Sequence, residues 1–178
     1  MKVGAIVQVK SFCEYVVKVP LEADDGYVPV SRIPAGAYVS IRSNDGYVVG
    51  IVTDVRHSIK EDYLPFLSQE KQDIFMPYAS DYRSSYLVIR GIGNEHEGTV
   101  AQSLTFAPEV NDPVQTMEKD DIKNFHMQDG RPNFSYYKKI SMSVDAAAIC
   151  GAIDMLAESM PECKQMLKAL KKHTEAKI

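Results

Sequence analysis

Short strands with alternating side chains dominate the first 56 residues of this chain. Apolar residues alternate with polar or small residues at positions 3–9, 13–19 and 37–42. Because successive side chains of a strand point to opposite faces, this spacing predicts strands with one buried and one solvated face. Several such strands joined by turns are typical of a small barrel or sandwich. We therefore expect a mainly β fold at this end of the chain.

Residues 47–55 form a strand of a different kind, because they are apolar at both odd and even positions up to Thr53 and Asp54. A strand of this composition is expected to be covered on both faces. Gly50 within it predicts a bulge or a bend at a barrel corner. The preceding Ser-Asn-Asp-Gly run at 43–46 predicts a hairpin in which Gly46 supplies a positive φ.

The middle of the chain interrupts this pattern. Pro65 and Pro77 limit any helix between residues 57 and 83 to short pieces, expected around 66–75. Strand patterning returns at 84–92 and 98–104, residues 106–117 have the character of an extended crossing segment, and a short helix is expected over 119–127. We therefore expect a small closed β-barrel over residues 1–117, with an insertion at about 57–83, followed by a helical region over residues 118–178. The fold class is mainly β with an α appendage, α+β.

Two helices are predicted at the end of the chain, forming a hairpin. Ser143 is expected to cap a nearly all-apolar helix that runs to about residue 158, and Ser159 with Glu162 to form a capping box for the second helix. One barrel surface cannot cover every side of the first helix, so an uncovered apolar face is expected to bind a protein partner or a second copy. The expected partner-binding residues are Met155, Met166, Leu167 and Leu170.

Charge argues against a general affinity for nucleic acid, since the net charge is −4 and the pI is about 5.6. Residues 95–121 carry seven acidic side chains and one lysine, and residues 160–178 carry five lysines and two glutamates. These segments could pair within the chain, pair between subunits, or form two solvated faces. Three scattered cysteines predict free thiols and a cytoplasmic location. The least polar stretch is too short to span a bilayer, so no membrane association is expected.

Few residues form a pattern that is typical of catalysis. Glu95, His96 and Glu97 are possible metal ligands, but consecutive residues in a turn rarely converge on one ion. No histidine lies beside a nucleophile in the sequence. We therefore expect no enzyme activity, no metal and no cofactor.

A basic patch supports an alternative function. Arg42, Arg56, His57 and Lys60 could gather near one end of the barrel, close to aromatic side chains at positions 12, 38 and 47. Oligonucleotide-binding barrels stack bases on aromatic side chains over a basic surface. The alternative to a protein-docking function is therefore single-stranded nucleic-acid binding, which the overall charge predicts to be weak.

A family resemblance covers residues 1–117. It is carried by the sequences Val-Gly-Ala-Ile-Val at 3–7, Ala-Tyr-Val-Ser-Ile at 37–41, Val-Gly-Ile-Val-Thr-Asp-Val at 49–55 and Arg-Gly-Ile-Gly at 90–93, with a proline-bearing run at 108–114. These elements resemble the HAS barrel, found at the front of HerA-type DNA-translocating ATPases and of rotary ATP synthase subunits. This chain departs from the family because it contains no G-x-x-x-x-G-K-[ST] phosphate loop, so nucleotide hydrolysis is not expected.

The resemblance implies a docking and oligomerisation element whose partner is a HerA-like hexameric ATPase or its own copies. The expected function is therefore a non-enzymatic β-barrel docking or assembly module, accessory to such an ATPase in DNA processing.

Overall fold

The computed structural model describes residues 1–20, 26–59 and 83–176. The strands are β1 (Lys2–Ser11), β2 (Glu14–Val19), β3 (Tyr38–Ser43), β4 (Gly46–Ile59), β5 (Arg83–His96), β6 (Thr99–Ala101), β7 (Pro113–Thr116), β8 (Met127–Gln128) and β9 (Arg131–Pro132). The α-helices are α1 (Lys119–His126), α2 (Tyr137–Ile140), α3 (Ala146–Ser159) and α4 (Lys164–Glu175), and 3-10 turns occur at Val30–Arg32 and Pro161–Cys163.

Six of the described strands close into an antiparallel barrel. Their order is β2-β1-β7-β3-β4-β5, and the pairing of β2 with β5 closes the ring. The short strand β6 extends the sheet beyond the end of β5. The barrel interior is filled by side chains such as Val39, Ile41 and Leu87, which are fully buried. The predicted fold class, a mainly β closed barrel followed by helices, is confirmed.

Strand β7 is the element that sequence reasoning missed, since residues 106–117 were expected to form a crossing segment without a strand. Residues 113–116 instead lie between β1 and β3, with Val114 opposite both Gly4 and Ile41. A four-residue strand that begins with proline is too short to show a period. Its two neighbours therefore decide its conformation, through main-chain pairing over a long sequence separation.

The inward face of β1 also differs from the predicted alternation, in which Val3, Ala5, Val7 and Val9 share one face. Val3 is fully buried as expected, but Val7 is 40% exposed and Ile6 takes the next inward position. Register shifts occur between Lys2 and Gly4 and between Ile6 and Gln8. Each extra residue in a bulge moves the following side chains to the opposite face, so the simple period fails here.

Strand β4 is covered on both faces, as predicted. Val48 and Val52 point into the barrel, whereas Val49 and Ile51 lie on its outer face beneath the helices. The pairing of β4 with β5 shifts register between Val49 and Gly50, which confirms the predicted bulge. Gly46, with a φ of 130°, begins β4 after the predicted hairpin turn.

The helices pack on the outer face of the barrel and form a second hydrophobic core there. Tyr38 and Val49 from the barrel belong to one buried cluster with Ile149 and Leu156 of α3 and with Leu167 of α4. Ala35 and Gly36, immediately before β3, approach the backbone of α3 at Gly151 so closely that a Cβ on either glycine would overlap the facing main chain. Backbone contact therefore holds α3 against the barrel.

The helix ends differ in part from the predictions. Asp145, rather than Ser143, caps α3, because its carboxylate accepts a hydrogen bond from the Ala147 amide at 2.8 Å. The hydroxyl of Ser159 donates to the Met155 carbonyl within α3, so the predicted Ser159 capping box is wrong, and a 3-10 turn precedes α4. The predicted short helix over 119–127 is confirmed as α1. The short helices expected around residues 66–75 lie outside the described residues.

Candidate binding groove

A groove of about 880 Å³ lies on the outer surface of the barrel, between the strands and α1. One side is formed by barrel residues and the other by α1 and the turn that follows it. The residues that line it are Ser40, Tyr47, Val49, Glu95, Gly98, Thr99, Val100, Gln115, Met117, Asp121, Asn124, Phe125, Met127, Gln128 and Asp129. We refer to this feature as the α1 groove.

The position of α1 follows from its capping and its apolar face. Glu118 and Asp121 form a capping box at its first turn, in which the Asp121 carboxylate accepts from the Glu118 amide at 3.3 Å. Ile122 and Phe125 are buried against the barrel. Asp121 and Asn124 are exposed and line the groove. The amphipathic pattern of α1 therefore sets the polar wall of the groove.

The electrostatic character of the α1 groove is acidic. Three carboxylates line it, from Glu95, Asp121 and Asp129, and no lysine or arginine is among its lining residues. Glu95 and Asp129 form no ion pair within the described residues. Tyr47 presents a ring that is 42% exposed, which can contact a cation or an alkyl chain. Arg42 pairs with Tyr47 across the β3–β4 hairpin and places one positive charge beside the lining, against the three carboxylates within it. The groove therefore favours a positively charged ligand.

A buried hydrogen-bonded chain lies behind the groove wall. His126 Nε2 is 2.8 Å from the hydroxyl of Tyr136, which is 3.0 Å from the hydroxyl of Tyr38. His126 Nδ1 is 2.6 Å from the carbonyl oxygen of Ile122. A carbonyl can only accept, so Nδ1 carries the proton, Nε2 accepts from Tyr136, and Tyr136 accepts from Tyr38. This chain ties the end of α1 to β3 of the barrel.

Burial determines the protonation of this chain. It lowers the pKa of His126 from 6.5 to about 4, against the opposing effect of the hydrogen bond to Ile122. Burial likewise raises the pKa of both tyrosines well above the ordinary value. All three side chains are neutral at pH 7 and almost completely enclosed, at 0%, 5% and 1% exposure for His126, Tyr136 and Tyr38. Each of these hydroxyls and ring nitrogens has a hydrogen-bond partner within the protein, so the three side chains have a structural role: they connect α1 to the barrel.

Residues 1–174 match the model of a protein family described as a domain of unknown function (DUF8166). The chain belongs to this family. The match extends from the barrel through most of α4, so it includes every residue of the α1 groove. No curated protein matches the sequence.

The structure separates the residues of the predicted nucleic-acid patch. Arg42 lies opposite Tyr47 near the β3–β4 turn, whereas Arg56 and His57 lie toward the other end of β4. From Tyr47 to Arg56 the strand advances roughly 30 Å, at about 3.3 Å per residue. Arg56 forms an ion pair with Asp54 at 3.0 Å. Arg42 therefore does not gather with Arg56 and His57 at one end of the barrel, because β4 is longer than the pattern indicated.

The other members of that patch offer no continuous stacking surface. His57 Nδ1 lies 3.0 Å from the Ser85 hydroxyl, and Lys60 lies outside the described residues. Of the aromatic side chains, Tyr38 is buried under the helices, while Phe12 and Tyr47 are exposed. A second depression, of about 510 Å³, contains Arg56 and Arg90, but Glu14, Asp54 and Asp145 line it as well, so it carries no excess of positive charge.

Most of the predicted partner-binding residues are buried or partly buried within the protein. Leu167 is fully buried, and Met155 and Leu170 are partly buried against the hydrophobic cores. Only Met166 is exposed, at 45%. The prediction that these residues form an uncovered face is therefore wrong for Leu167, because the outer surface of the barrel is itself apolar and is shared by α3 and α4.

Among the described residues, no ion pair joins the acidic segment 95–121 to the lysine-rich segment 160–178, and the ion pairs of the helices are local instead. Lys171 contacts Asp154 at 2.6 Å, Lys123 contacts Glu162 at 2.8 Å, and Lys119 contacts Glu158 at 3.1 Å. These bridges link α4 to α3, and α1 to the region where α3 ends and α4 begins. They do not involve the carboxylates of the α1 groove. Glu95 and Asp129 therefore keep carboxylates that can bind a ligand, while the Asp121 carboxylate is shared with the Glu118 amide of the capping box.

The described part of the chain contains neither a cluster of metal-ligating side chains nor a membrane-spanning helix. No group of three or more His, Cys, Asp or Glu side chains there is arranged to hold a metal ion. The ring of His96 contacts the carbonyl oxygen of Asp45, rather than turning toward both neighbouring glutamates. None of the described helices has the length and the apolar composition needed to cross a bilayer.

Proposed function

We propose that this protein is a non-catalytic docking module that binds a basic segment of a protein partner in the α1 groove. The observation that carries the proposal is the groove itself: its lining includes three carboxylates and neither lysine nor arginine. A concave surface of one sign concentrates the electric field and raises the local concentration of an oppositely charged ligand. A lysine- or arginine-bearing segment is the ligand that fits this field.

The neutral residues of the groove support a peptide as the ligand. Gln115 and Asn124 supply amide groups that can donate to and accept from a main chain, whereas the Gln128 amide is held by the Val100 carbonyl and by Asn133. Met117 and Met127 add flexible apolar surface, and methionine adapts to irregular partner side chains. This combination of amides, thioethers and carboxylates suits a segment with alternating basic and apolar side chains.

The same charge disfavours nucleic acid at this site. Most non-specific affinity for nucleic acid comes from cations that neutralise phosphates. The α1 groove would instead place carboxylates against phosphates, and the arginines of the alternative patch lie far apart along β4. We therefore favour a protein ligand over a single-stranded nucleic acid.

The resemblance of residues 1–117 to the HAS barrel adds a specific partner to this proposal, a HerA-like hexameric ATPase. This part of the proposal depends on the sequence resemblance alone. Co-sedimentation of the purified protein with a purified HerA-like ATPase tests it, with the groove variant described below as the matched control. Calorimetry with Mg-ATP and the protein alone is expected to detect no binding, since the sequence has no phosphate loop.

Fluorescence anisotropy tests the docking proposal directly. A labelled oligolysine peptide is titrated with the full chain and with the variant Glu95→Lys/Thr99→Lys/Asp129→Asn, called here the groove variant. Thr99 is exposed, asparagine tolerates the positive φ of 51° at position 129, and Glu95 is partly exposed with no side-chain ion pair among the described residues, so all three changes are compatible with the fold. We expect the groove variant to bind at least about tenfold more weakly.

Further titrations make the result specific. A Glu109→Lys/Glu175→Lys variant changes exposed glutamates outside the groove lining and raises the net charge by four, as the groove variant does, so it should bind oligolysine nearly as the native protein does. A Lys18→Glu/Lys138→Glu variant, at exposed positions outside the groove lining, lowers the net charge by four and should not weaken oligolysine binding. A labelled oligothymidine tests the alternative function. Equal oligolysine binding by the native protein and the groove variant would refute the proposal, and tight oligothymidine binding would favour the nucleic-acid function instead.

A further inference from the structure

Helix α4 carries a row of exposed lysines on the side that does not pack against α3. Lys164, Lys168 and Lys172 are spaced by four residues, so they share one face of the helix. All three are exposed, and none forms an ion pair within the described residues. We refer to this row as the α4 lysine face. It is the chemical complement of the α1 groove in the same chain.

The two surfaces cannot meet within one molecule, because α1 separates them. At about 100° per residue, Lys119 and Lys123 lie on the opposite side of α1 from Asp121 and Asn124. The two lysines point toward α3 and the start of α4, where they pair with Glu158 and Glu162. Asp121 and Asn124 point into the groove. The side of α1 that carries Asp121 therefore faces away from α4.

We propose that the α1 groove of one copy of this protein receives the α4 lysine face of a second copy. This inference rests on the proposed docking function and names its ligand. Along the helix axis the three lysines span about 12 Å, at 1.5 Å per residue, which places three ammonium groups over a short, straight path. The groove offers the carboxylates of Glu95 and Asp129, together with that of Asp121, which also accepts from the Glu118 amide. Glu175 lies two turns after Lys168 on the same face of α4, so the lysine face carries a net charge of +2. The two surfaces are therefore opposite in sign.

The contact joins two different surfaces, so its symmetry is head to tail. Each copy keeps one free groove and one free lysine face after a single contact. Such heterologous contacts propagate into a closed ring or an open filament, according to the rotation between neighbours. Exposed ion pairs are weak and are screened by salt. Self-association is therefore expected at high micromolar protein concentration and low ionic strength, and it is expected to fall as salt is added.

Paired charge-reversal variants test this contact. The helix variant is Lys164→Glu/Lys168→Glu, and the groove variant is the one defined above; these change the net charge by equal and opposite amounts. Each variant alone presents like charges on both surfaces and is expected to sediment as a monomer. In a mixture of the two, the acidic α4 face of the helix variant can bind the basic groove of the groove variant. The native lysine face of the groove variant can likewise bind the native acidic groove of the helix variant. Sedimentation velocity of the mixture is expected to recover the assemblies of the native chain.

The outcomes separate the possible sources of association. The Lys18→Glu/Lys138→Glu control should assemble as the native chain does, because its charges lie outside both surfaces. A native chain that stays monomeric at low salt, a helix variant that assembles normally, or a mixture that fails to recover assembly would each overturn the inference. If self-association fails while oligolysine still binds the groove, the docking function stands and its natural ligand is a different basic protein. Circular dichroism confirms that each variant is folded.

Discussion

Acidification should destabilise this protein through His126, the one histidine that folding encloses between α1, β3 and the segment before α2. The relevant groups around its ring are the hydroxyl of Tyr136, the carbonyl of Ile122 and the rings of Tyr38, Phe125 and Phe134. None of these carries a negative charge at pH 7. A proton added to Nε2 would turn it from an acceptor into a donor and would require both tyrosine hydroxyls to reverse.

The size of the effect follows from the two pKa values. Folding depresses the pKa of His126 from 6.5 to about 4, so its contribution to the free energy of unfolding is complete above pH 6.5. That contribution is lost as the pH falls from 6.5 toward 4, because the unfolded chain binds the proton first. The full loss is about 3 kcal/mol, and roughly 2 kcal/mol of it is already gone at pH 5.

Urea unfolding at several pH values between 8 and 5 measures this loss. The carboxylates of the chain also titrate toward the lower end of that range, so the comparison is made between variants. His126→Gln removes the titration and should be less stable at pH 8, but its free energy of unfolding should fall by roughly 2 kcal/mol less between pH 8 and pH 5. His173→Gln, at an exposed position of α4, is the control and should follow the native pH dependence.

Nuclear magnetic resonance gives an independent check on the cause. The ring protons of His126 in the folded protein should show no titration between pH 8 and 5.5. Titration of this ring near pH 6.5 in the folded state would refute the reasoning, and so would identical pH dependence of stability in the native and His126→Gln proteins. Either result would mean that water reaches the ring.

Three further predictions concern the packing of the helices on the barrel. Gly151→Ala should lower the free energy of unfolding by at least about 1 kcal/mol, because the added Cβ would overlap the carbonyl of Ala35, even though alanine is the better helix former. Urea denaturation measures this change, and a stabilised variant would contradict the close approach of α3 to residue 35. Leu167→Ala should lower the free energy of unfolding by about 2–5 kcal/mol, and Met166→Ala by less than about 0.5 kcal/mol, because only Leu167 is buried. Equal losses for the two variants in urea denaturation would contradict this packing. Removing all residues after Lys139 should abolish cooperative thermal unfolding, because the truncation uncovers the apolar outer face of the barrel. A truncated protein that unfolds cooperatively as a monomer would show that α3 and α4 are not needed for folding.

Local patterns predicted those parts of the fold whose cause lies within a few neighbouring residues. The alternation of β3, the two-sided apolar composition of β4 and the turn before Gly46 each appear in the structure as expected. The short helix α1 was also predicted near its observed bounds. In these segments the side-chain period or the turn chemistry already selects one backbone conformation, and tertiary packing agrees with it.

The candidate site was less accessible to sequence reasoning. The acidic excess in residues 95–121 was apparent, but Glu95 comes from β5, Asp121 from α1 and Asp129 from the turn after β8. Only the folded chain brings these three carboxylates to one groove. One sequence signal for the hydrogen bonds behind the groove was His126 with the aromatic-rich run at 134–137. The hydrogen bond between Tyr136 and Tyr38, however, spans nearly a hundred residues of chain.

The amino-acid sequence by itself therefore determined a mainly β barrel with helices after it, because strand period, turn residues and helix amphipathicity are local properties. Tertiary structure alone decided the bulges of β1, the insertion of β7 between β1 and β3, the burial of Leu167 and the position of the groove. Each of these depends on contacts between residues far apart in the chain. These contacts stabilise the protein only after the barrel has closed and presents its apolar outer face to the helices.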